Sequence, residues 1–319
     1  MVLAGGRRIG ALAVRAAKTA RLTAHDQALR ALARGIRKPD ALRGNLRPGL
    51  LSALTPLAAS SGSPTYLFST SDRGIGRATY RHSSFDEHKI TWVVNRIGGV
   101  PRGATVLDIG ANIGTVAIPL VTTYGAAHAV AFEPEPLNFK LLRCNVILND
   151  TEDLITCVQV AVSDATGMVE FELSEDNYGD HRVRARAGAV LDSMRESARA
   201  TISVPACRLQ DALARASVRT EEVGLVWVDT QGHEGQVLAG AGDLPGKAPW
   251  VVEYWPYGLR RARGLDLFHE RVSESFAQVI DIKLSIAAGQ DVMLDASEVA
   301  SLADRLTTPR SHTDLLLLA

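Results

Sequence analysis

The chain has 319 residues, 46% hydrophobic but only 5% aromatic, which suits one large α/β domain with aliphatic strands plus an appendage. Its 35 Lys and Arg balance 35 Asp and Glu, so the overall charge gives no reason to expect a nucleic-acid partner. No apolar run approaches the roughly 18–20 residues a membrane span needs, and Cys144, Cys157 and Cys207, without metal or redox spacing, read as small buried hydrophobes in a reducing compartment.

Residues 1–50 hold eleven Lys and Arg against two acids, Asp26 and Asp40, in an Ala-rich setting. Leu22, Leu29, Leu32 and Ile36 recur near helical spacing, so residues 1–60 are expected to form a basic, helical N-terminal extension. Such a helix serves as a plain structural cap, or as a docking element for a membrane surface or an acidic partner. No signal-peptide apolar core is present, and a cytoplasmic location is expected.

Pro48, Pro56 and the Ser60–Pro64 cluster separate this extension from a lead-in over residues 61–104. There, Tyr66-Leu67-Phe68 and Arg77-Ala78-Thr79-Tyr80 read as two short strands around the Asp72-Arg73-Gly74 turn, and Phe85 to Ile97 as a helix stopped by Gly98-Gly99.

Thr105 to Leu107 reads as a buried parallel strand that ends in Asp108-x-Gly110-x-Asn112-x-Gly114. Gly110 supplies a positive φ and bare backbone for a ligand, and Gly114 permits close helix packing. A second apolar run, Ala129 to Phe132, ends in Glu133, 25 positions after Asp108, where an acid can take both hydroxyls of a ribose. A dinucleotide fold would need Gly-x-Gly-x-x-Gly; the spacing here, with a carboxylate before the first glycine, repels a pyrophosphate and suits an ammonium or sulfonium. The reading is a βαβ crevice for S-adenosyl-L-methionine. The bland alternative makes Asp108 a helix cap.

Pro136 to Leu148 reads as a helix with proline in its first turn. Ile155 to Val162 reads as a third strand whose tip, Ser163-Asp164, falls where an adenine ring would lie. Met168 to Leu173 alternates like an exposed strand. A polar excursion, residues 174–205, follows, with His181, Arg182, Arg184 and Arg186; it reads as a lid whose basic run is either a solvated face or a greeting for an anionic substrate. Cys207 to Ala214 is expected to be helical, Gly224 to Asp229 a fourth strand, Glu234 to Ala241 a helix, Trp250 to Glu253 a fifth strand and Leu265 to Ser275 a helix. Phe276 to Leu284 and Asp314 to Leu318 are expected to finish the fold as an antiparallel pair. The sum is an α/β, doubly wound, mostly parallel seven-stranded Rossmann-like sheet over residues 105–319.

Ligands in such sheets bind outside the carboxyl ends of the strands. Asp229 and Glu253 end the adjacent fourth and fifth strands, so both carboxylates should face the crevice, where one can relieve a hydroxyl of its proton. Asp229 leads as catalytic base or aligner, followed by Glu253 and His233; Glu234 reads as a first-turn acid at a helix N-terminus. No dense acidic cluster is visible and no metal is expected. His233-Glu234 is no zinc-protease motif, because Val237 stands where a second His would be needed.

From about Phe85 onward the chain resembles the FkbM family of S-adenosylmethionine-dependent methyltransferases. The resemblance is carried by Val106–Gly114, Ala131–Pro134, Asn145 with Asn149, Ala161–Asp164 with Gly167, and Val228-Asp229-Thr230-Gln231-Gly232-His233-Glu234 running into Val237–Ala241. It implies that Asp108, Gly110, Asn112 and Gly114 surround the methionine tail, that Glu133 holds the ribose and that Ser163 and Asp164 hold the adenine. It also implies O-methylation of a hydroxyl on a sugar or secondary metabolite. Alternatives are N-methylation of a small molecule or nucleic acid, disfavoured by Asp229-Thr230-Gln231-Gly232 where a base-gripping Pro-Pro-aromatic segment would stand, and a non-catalytic cofactor-binding protein of the same fold.

Overall fold

The computed structural model describes residues 57–184, 194 and 196–319. The chain opens with a small antiparallel pair, β1 (Leu57–Ala59) and β2 (Leu67–Ser69), then helices α1 (Ile75–His82) and α2 (Glu87–Arg96). The wound part follows as β3 (Thr105–Ile109), α3 (Ala117–Thr122), β4 (His128–Phe132), α4 (Pro136–Leu148) and β5 (Ile155–Val158). Next come β6 (Ala161–Ser163), β7 (Gly167–Leu173), β8 (Arg182–Val183) and β9 (Ala200–Arg208), then α5 (Leu209–Ala216), β10 (Val223–Val228), α6 (Glu234–Ala239), β11 (Trp250–Tyr254), α7 (Pro256–Arg261) and α8 (Leu265–Ser275). The last elements are β12 (Gln278–Asp281), α9 (Ile282–Ala288), β13 (Met293–Leu294), α10 (Ala296–Arg305) and β14 (Thr313–Leu318).

The main sheet has eight strands in the order β13-β12-β14-β11-β10-β3-β4-β5. β11, β10, β3, β4 and β5 run parallel; β14 inserts antiparallel between β11 and β12, and β13 adds a two-residue edge to the seven expected strands. Every residue of β3, β10 and β11 is buried, which is why these strands read as unbroken apolar runs. Alternate residues feed two cores. Leu107, Phe132, Val226 and Val252 pack under α5, α6 and α8, while Val106, Ala129, Leu225 and Val251 pack under α2, α3 and α4. The order reverses between β3 and β10, and the ligand crevice of such a sheet opens there.

Four sequence expectations change. Arg77–Tyr80 belongs to α1 rather than a strand, and β2 pairs with β1; Ile75, Gly76 and Thr79 form the buried stripe of that helix. The expected third strand breaks after Val158: β5 stays in the main sheet, whereas β6 joins a second sheet of order β6-β9-β7-β8. Cys207 lies in β9, and the helix begins only at Leu209. β12 and β14 do pair antiparallel, but α9 and α10 lie between them, and Ile282–Leu284 is helical because Asp281 caps it by accepting from Leu284 N at 2.8 Å. The helical expectation for residues 21–36 falls outside the described residues.

The lead-in is bound to the wound domain by two asparagines of α4. Buried Asn145 accepts from Leu67 N at 2.6 Å and donates to Leu67 O at 3.1 Å and Ile113 O at 2.8 Å. Asn149 accepts from Thr65 N at 2.9 Å and donates to Thr65 O at 2.8 Å. In effect α4 offers β2 a short imitation of a strand edge while also bracing the turn after β3. Asn145→Ala leaves buried backbone groups without partners and is expected to lower stability by about 2–4 kcal/mol. Chemical denaturation checks this, and a change below about 0.5 kcal/mol would contradict the bracing role.

Candidate active site

The turn after β3 is fixed from both sides. Gly110 and Ala111 donate to Phe132 O, and Gly110 has φ +89° with a backbone so close to β10's exit that a Cβ would stand 1.9 Å from Asp229 O. Asn112, itself at φ +50°, donates its N–H to Glu133 Oε2 at 2.8 Å, while Glu133 Oε1 accepts from Glu135 N at 2.8 Å. Gly114, at φ +92°, packs so tightly on Ile118 and Leu142 that a Cβ there would be 2.9 Å from each.

A narrow cavity of about 40 Å³ opens above this turn. Its apolar walls include Ile109, Phe132, Val160, Val162, Phe171 and Val183; its polar lining includes Asn112, Glu133, Asn138 and His233. The roof is residues 177–183. Tyr178 O accepts from Asn112 Nδ2 at 3.0 Å and Asn138 Nδ2 at 3.1 Å, and Tyr178 N donates to buried Asp72 at 3.1 Å. Three groups on the cavity stand ready for a polar ligand. Asn138 Oδ1 and His233 Nδ1 are buried with no hydrogen-bond partner. Among the described residues no basic side chain offsets Glu133, and burial, reinforced by Glu135 and Asp108 and opposed by two backbone N–H donors, pushes its pKa to about 8.

The structure divides the expected cofactor residues. Gly110, Asn112 and Glu133 line the cavity. Asp108 does not: its Oδ2 accepts from Ala117 N at 2.9 Å at the start of α3, and burial, opposed by that N–H and increased by Asp229, pushes its pKa to about 7. Gly114 lies behind the turn. Ser163 and Asp164 also stand behind the wall formed by Val160–Val162; Ser163 Oγ bonds Asp164 Oδ1 at 3.0 Å and His233 Nε2 at 2.9 Å. Ser163 meets the cavity's lining at His233, whose pKa burial lowers to about 4, leaving a neutral ring.

A second, larger cavity of about 500 Å³ adjoins the first, and Gly179, Asp229 and Gln231 line both. Ile75, Phe85, Ile282 and Ile286 form its apolar side; Asp229, Glu253, Asp314, Asp86 and Lys89 form its polar side. Register explains the carboxylates. Val228 pairs with Val252, which sets Asp229 beside Glu253 at the strand ends, and Glu253 pairs directly with Asp314 of β14. Lys89 is already engaged, at 2.6 Å from Asp86 and 2.9 Å from Asp314. Burial raises the pKa of Asp229, and burial with Asp229, Glu234 and Asp314 as neighbours raises that of Glu253 well above the usual range. Glu234 is more than a first-turn acid. Fully buried, its Oε1 accepts from Thr230 N, Thr230 Oγ1 and Gly232 N, fastening the loop that carries Asp229 and Gln231.

The structure divides the basic excursion. Arg182 is 2% exposed, pairs with Asp180 at 2.6 Å and lies 4.8 Å over the Trp255 ring, while Arg199 also grips Asp180. His181, half-buried, stacks on Tyr178, and desolvation lowers its pKa to about 4. Arg184 is exposed, and Arg186 falls outside the described residues. Sequence reasoning missed Asn138, Tyr178 and Gln231. Asn138, third in α4 after the Glu135 cap, carried a usable signal because it sits five residues beyond Glu133 on the same crevice edge.

Among the described residues, no group of three or more His, Cys, Asp or Glu is arranged to hold a metal ion, and no helix is long and apolar enough to cross a membrane. Comparison with known proteins adds four likenesses. The family profile described as the Methyltransferase FkbM domain matches residues 108–282, more than half of the chain. Methyltransferase sdnD of Sordaria araneosa is 26% identical over 208 residues, 55% of this chain and 78% of the relative. The 2-O-methyltransferase NoeI of Sinorhizobium fredii is 29% identical over 157 residues, 47% of this chain and 62% of the relative. Among solved structures, a methyltransferase FkbM from Methylobacillus flagellatus aligns with TM-score 0.39 and 17% identity, over 67% of this chain and 43% of its own.

Proposed function

The chain belongs to the FkbM methyltransferase family, and on that premise we propose that it uses S-adenosyl-L-methionine to methylate a hydroxyl oxygen of a sugar or secondary metabolite. One observation carries the reading: a narrow cavity lined by Glu133 and apolar side chains and a larger polar cavity meet at Asp229, a carboxylate whose proton affinity is raised.

The cavity chemistry fits the cofactor. Glu133 offers a desolvated carboxylate to the ribose hydroxyls, and the apolar walls offer a slot for adenine. Asn138 Oδ1 and His233 Nδ1, unpartnered and buried, supply an acceptor and a second polar contact. Asp108, bonded to Ala117 N, contributes its charge from beneath Gly110 rather than by contact. A nucleoside pocket occupies roughly 300 Å³ or more, so the segment 177–183 must lift from Asn112 and Asn138 to admit it. S-adenosylmethionine, when bound, supplies an electrophilic methyl on a sulfonium. The acceptor hydroxyl, lying in the larger cavity, must lose its proton as its oxygen takes that methyl. In this reading Asp229 receives the proton and Glu253 holds a neighbouring hydroxyl, supported by the cavity that both line. The likeness to NoeI, a 2-O-methyltransferase, supports oxygen as the acceptor atom. Asp229-Thr230-Gln231-Gly232 offers no aromatic to grip a flipped base, which disfavours nucleic acid.

We further propose that the basic extension, expected over residues 1–60, is separate from the catalytic unit only up to residue 56, since β1 pairs with β2, and that residues 57–104 belong to that unit. Removal of residues 1–56 is expected to leave cofactor affinity unchanged within about threefold, because the described residues that line the two cavities begin at Gly74. Calorimetry on the truncated protein checks this, with circular dichroism to confirm the fold. The full-length protein is expected to bind S-adenosylmethionine and S-adenosylhomocysteine but not NAD. Binding of NAD alone would overturn the reading.

A further inference from the structure

We propose that Gln231 is a positioning residue that clamps Asp229 and Glu253 into one unit and keeps the charge of that unit available for the acceptor's proton. The proposal rests on the methyltransferase reading for what the pair does; the clamp itself rests on geometry. A single amide nitrogen, Gln231 Nε2, donates to Asp229 Oδ1 at 2.6 Å and to Glu253 Oε2 at 3.1 Å. Its two hydrogens therefore serve two carboxylates that project from adjacent strands toward the same cavity.

The loop is built to aim this amide. Gln231 adopts a left-handed φ of +55°, and Gly232, at φ +100°, packs so closely on Gly258 that a Cβ would come within 2.6 Å of its backbone. Glu234 fastens the residues on either side through Thr230 N and Gly232 N. Backbone strain at one residue, held by three donors to one buried carboxylate oxygen, leaves the Gln231 side chain at the strand tips.

Nothing else among the described residues does this work. The charged groups whose fields act on the pair are Asp86 and Lys89 at and in α2, Asp108 of β3, Glu234 of α6 and Asp314 of β14, while His88, Lys283 and His312 line the same cavity. Of the five that act on the pair four are acids, and Lys89 hydrogen-bonds Asp86 and Asp314 rather than Asp229 or Glu253. A carboxylate at position 231 would add repulsion where the amide supplies two donors.

The test is a titration of the full-length protein labelled with ¹³C at Asp and Glu carboxyls, with signals assigned through Asp229→Asn and Glu253→Gln. Removing a donor from an ionised carboxylate raises its pKa. Gln231→Met, similar in shape and unable to donate, is expected to raise the upper apparent pKa of the pair by about one unit or more; Gln231→Glu, which adds a charge, should raise it further. Glu133, outside the clamp, should titrate as in the wild type. In methyl-transfer assays the acid limb of kcat/KM should move up in each variant by the shift that its titration gives. An unmoved pair, or a pair that moves only together with Glu133, overturns the clamp. Failure of the wild type to bind S-adenosylmethionine would instead overturn the function, and the two failures are read separately.

Discussion

Glu133→Ala is expected to weaken S-adenosylmethionine binding by roughly 10²–10⁴-fold, because two charge-assisted hydrogen bonds of about 1.5–3 kcal/mol each are lost. The substitution also removes the acceptor that fixes Asn112 N, so the turn after β3 loosens. Asp108→Ala, which loses a bond to Ala117 N but no contact with the cavity, should cost affinity less and stability more. Wild-type affinity in both variants would sink the assignment of this crevice to the cofactor.

The same carboxyl sets a pH dependence with a definite sign. In the free protein its pKa stands at about 8, above the usual carboxylate value. The folded state therefore holds a proton that the unfolded chain has already released, and this group's contribution to stability falls as pH rises from the carboxylate range through about 8. Ribose hydroxyls bond the ionised form, so cofactor binding lowers that pKa and expels a proton. Affinity should accordingly tighten between about pH 6 and 8 and level off above, with proton release seen by calorimetry in buffers of different ionisation enthalpy. Affinity that is flat with pH in the wild type would show that Glu133 does not meet the ribose.

The crevice was legible in sequence because its constraints are local. A glycine that needs a positive φ, an apolar run ending in an acid and a second such run all write themselves into consecutive residues, and Gly110, Asn112 and Glu133 meet as their spacing suggested. The strand pair carrying Asp229 and Glu253 was legible for the same reason. What escaped depends on distant partners. Arg77–Tyr80 is rich enough in β-formers to pass for a strand, and only the burial of Ile75 and Thr79 against the core settles it as helix. The break between Val158 and Ala161 has no sequence mark, since both halves are apolar and merely enter different sheets. That break changes which residues wall the cavity: Val160, Ala161 and Val162 face it, and Ser163 and Asp164 are left behind. Arg182 resembled a surface charge because its partners, Asp180 and the Trp255 ring, are supplied by a turn and by the far end of β11. Gln231 looked like a loop residue until two strand tips closed on it.

Asp229→Asn is expected to lower kcat by roughly 10²–10⁴ while leaving cofactor affinity within about threefold, the range usual for loss of a general base. The substitution is mild in structure, since the asparagine oxygen can still accept from Gln231 Nε2 and the clamp on Glu253 survives. It is severe in chemistry, since an amide takes no proton. An alcohol is far less acidic than any side chain present, so its proton must leave as the methyl arrives. A carboxylate whose pKa burial has raised is better suited to that moment than one in water. Ionised Asp229 is the working form, so wild-type activity should fall as pH drops through its raised pKa, and the Asn variant should lose this limb. Glu253→Gln, which keeps a hydrogen-bonding group for a neighbouring hydroxyl, should raise KM more than it lowers kcat. If Glu253→Gln instead carries the larger loss in kcat, the two carboxylates exchange roles. A small effect of Asp229→Asn on kcat with a large one on affinity would move Asp229 into the cofactor's shell. Labelled methyl followed into glycan and metabolite extracts by mass spectrometry decides the acceptor atom, and label found only on nitrogen or nucleic acid overturns O-methylation.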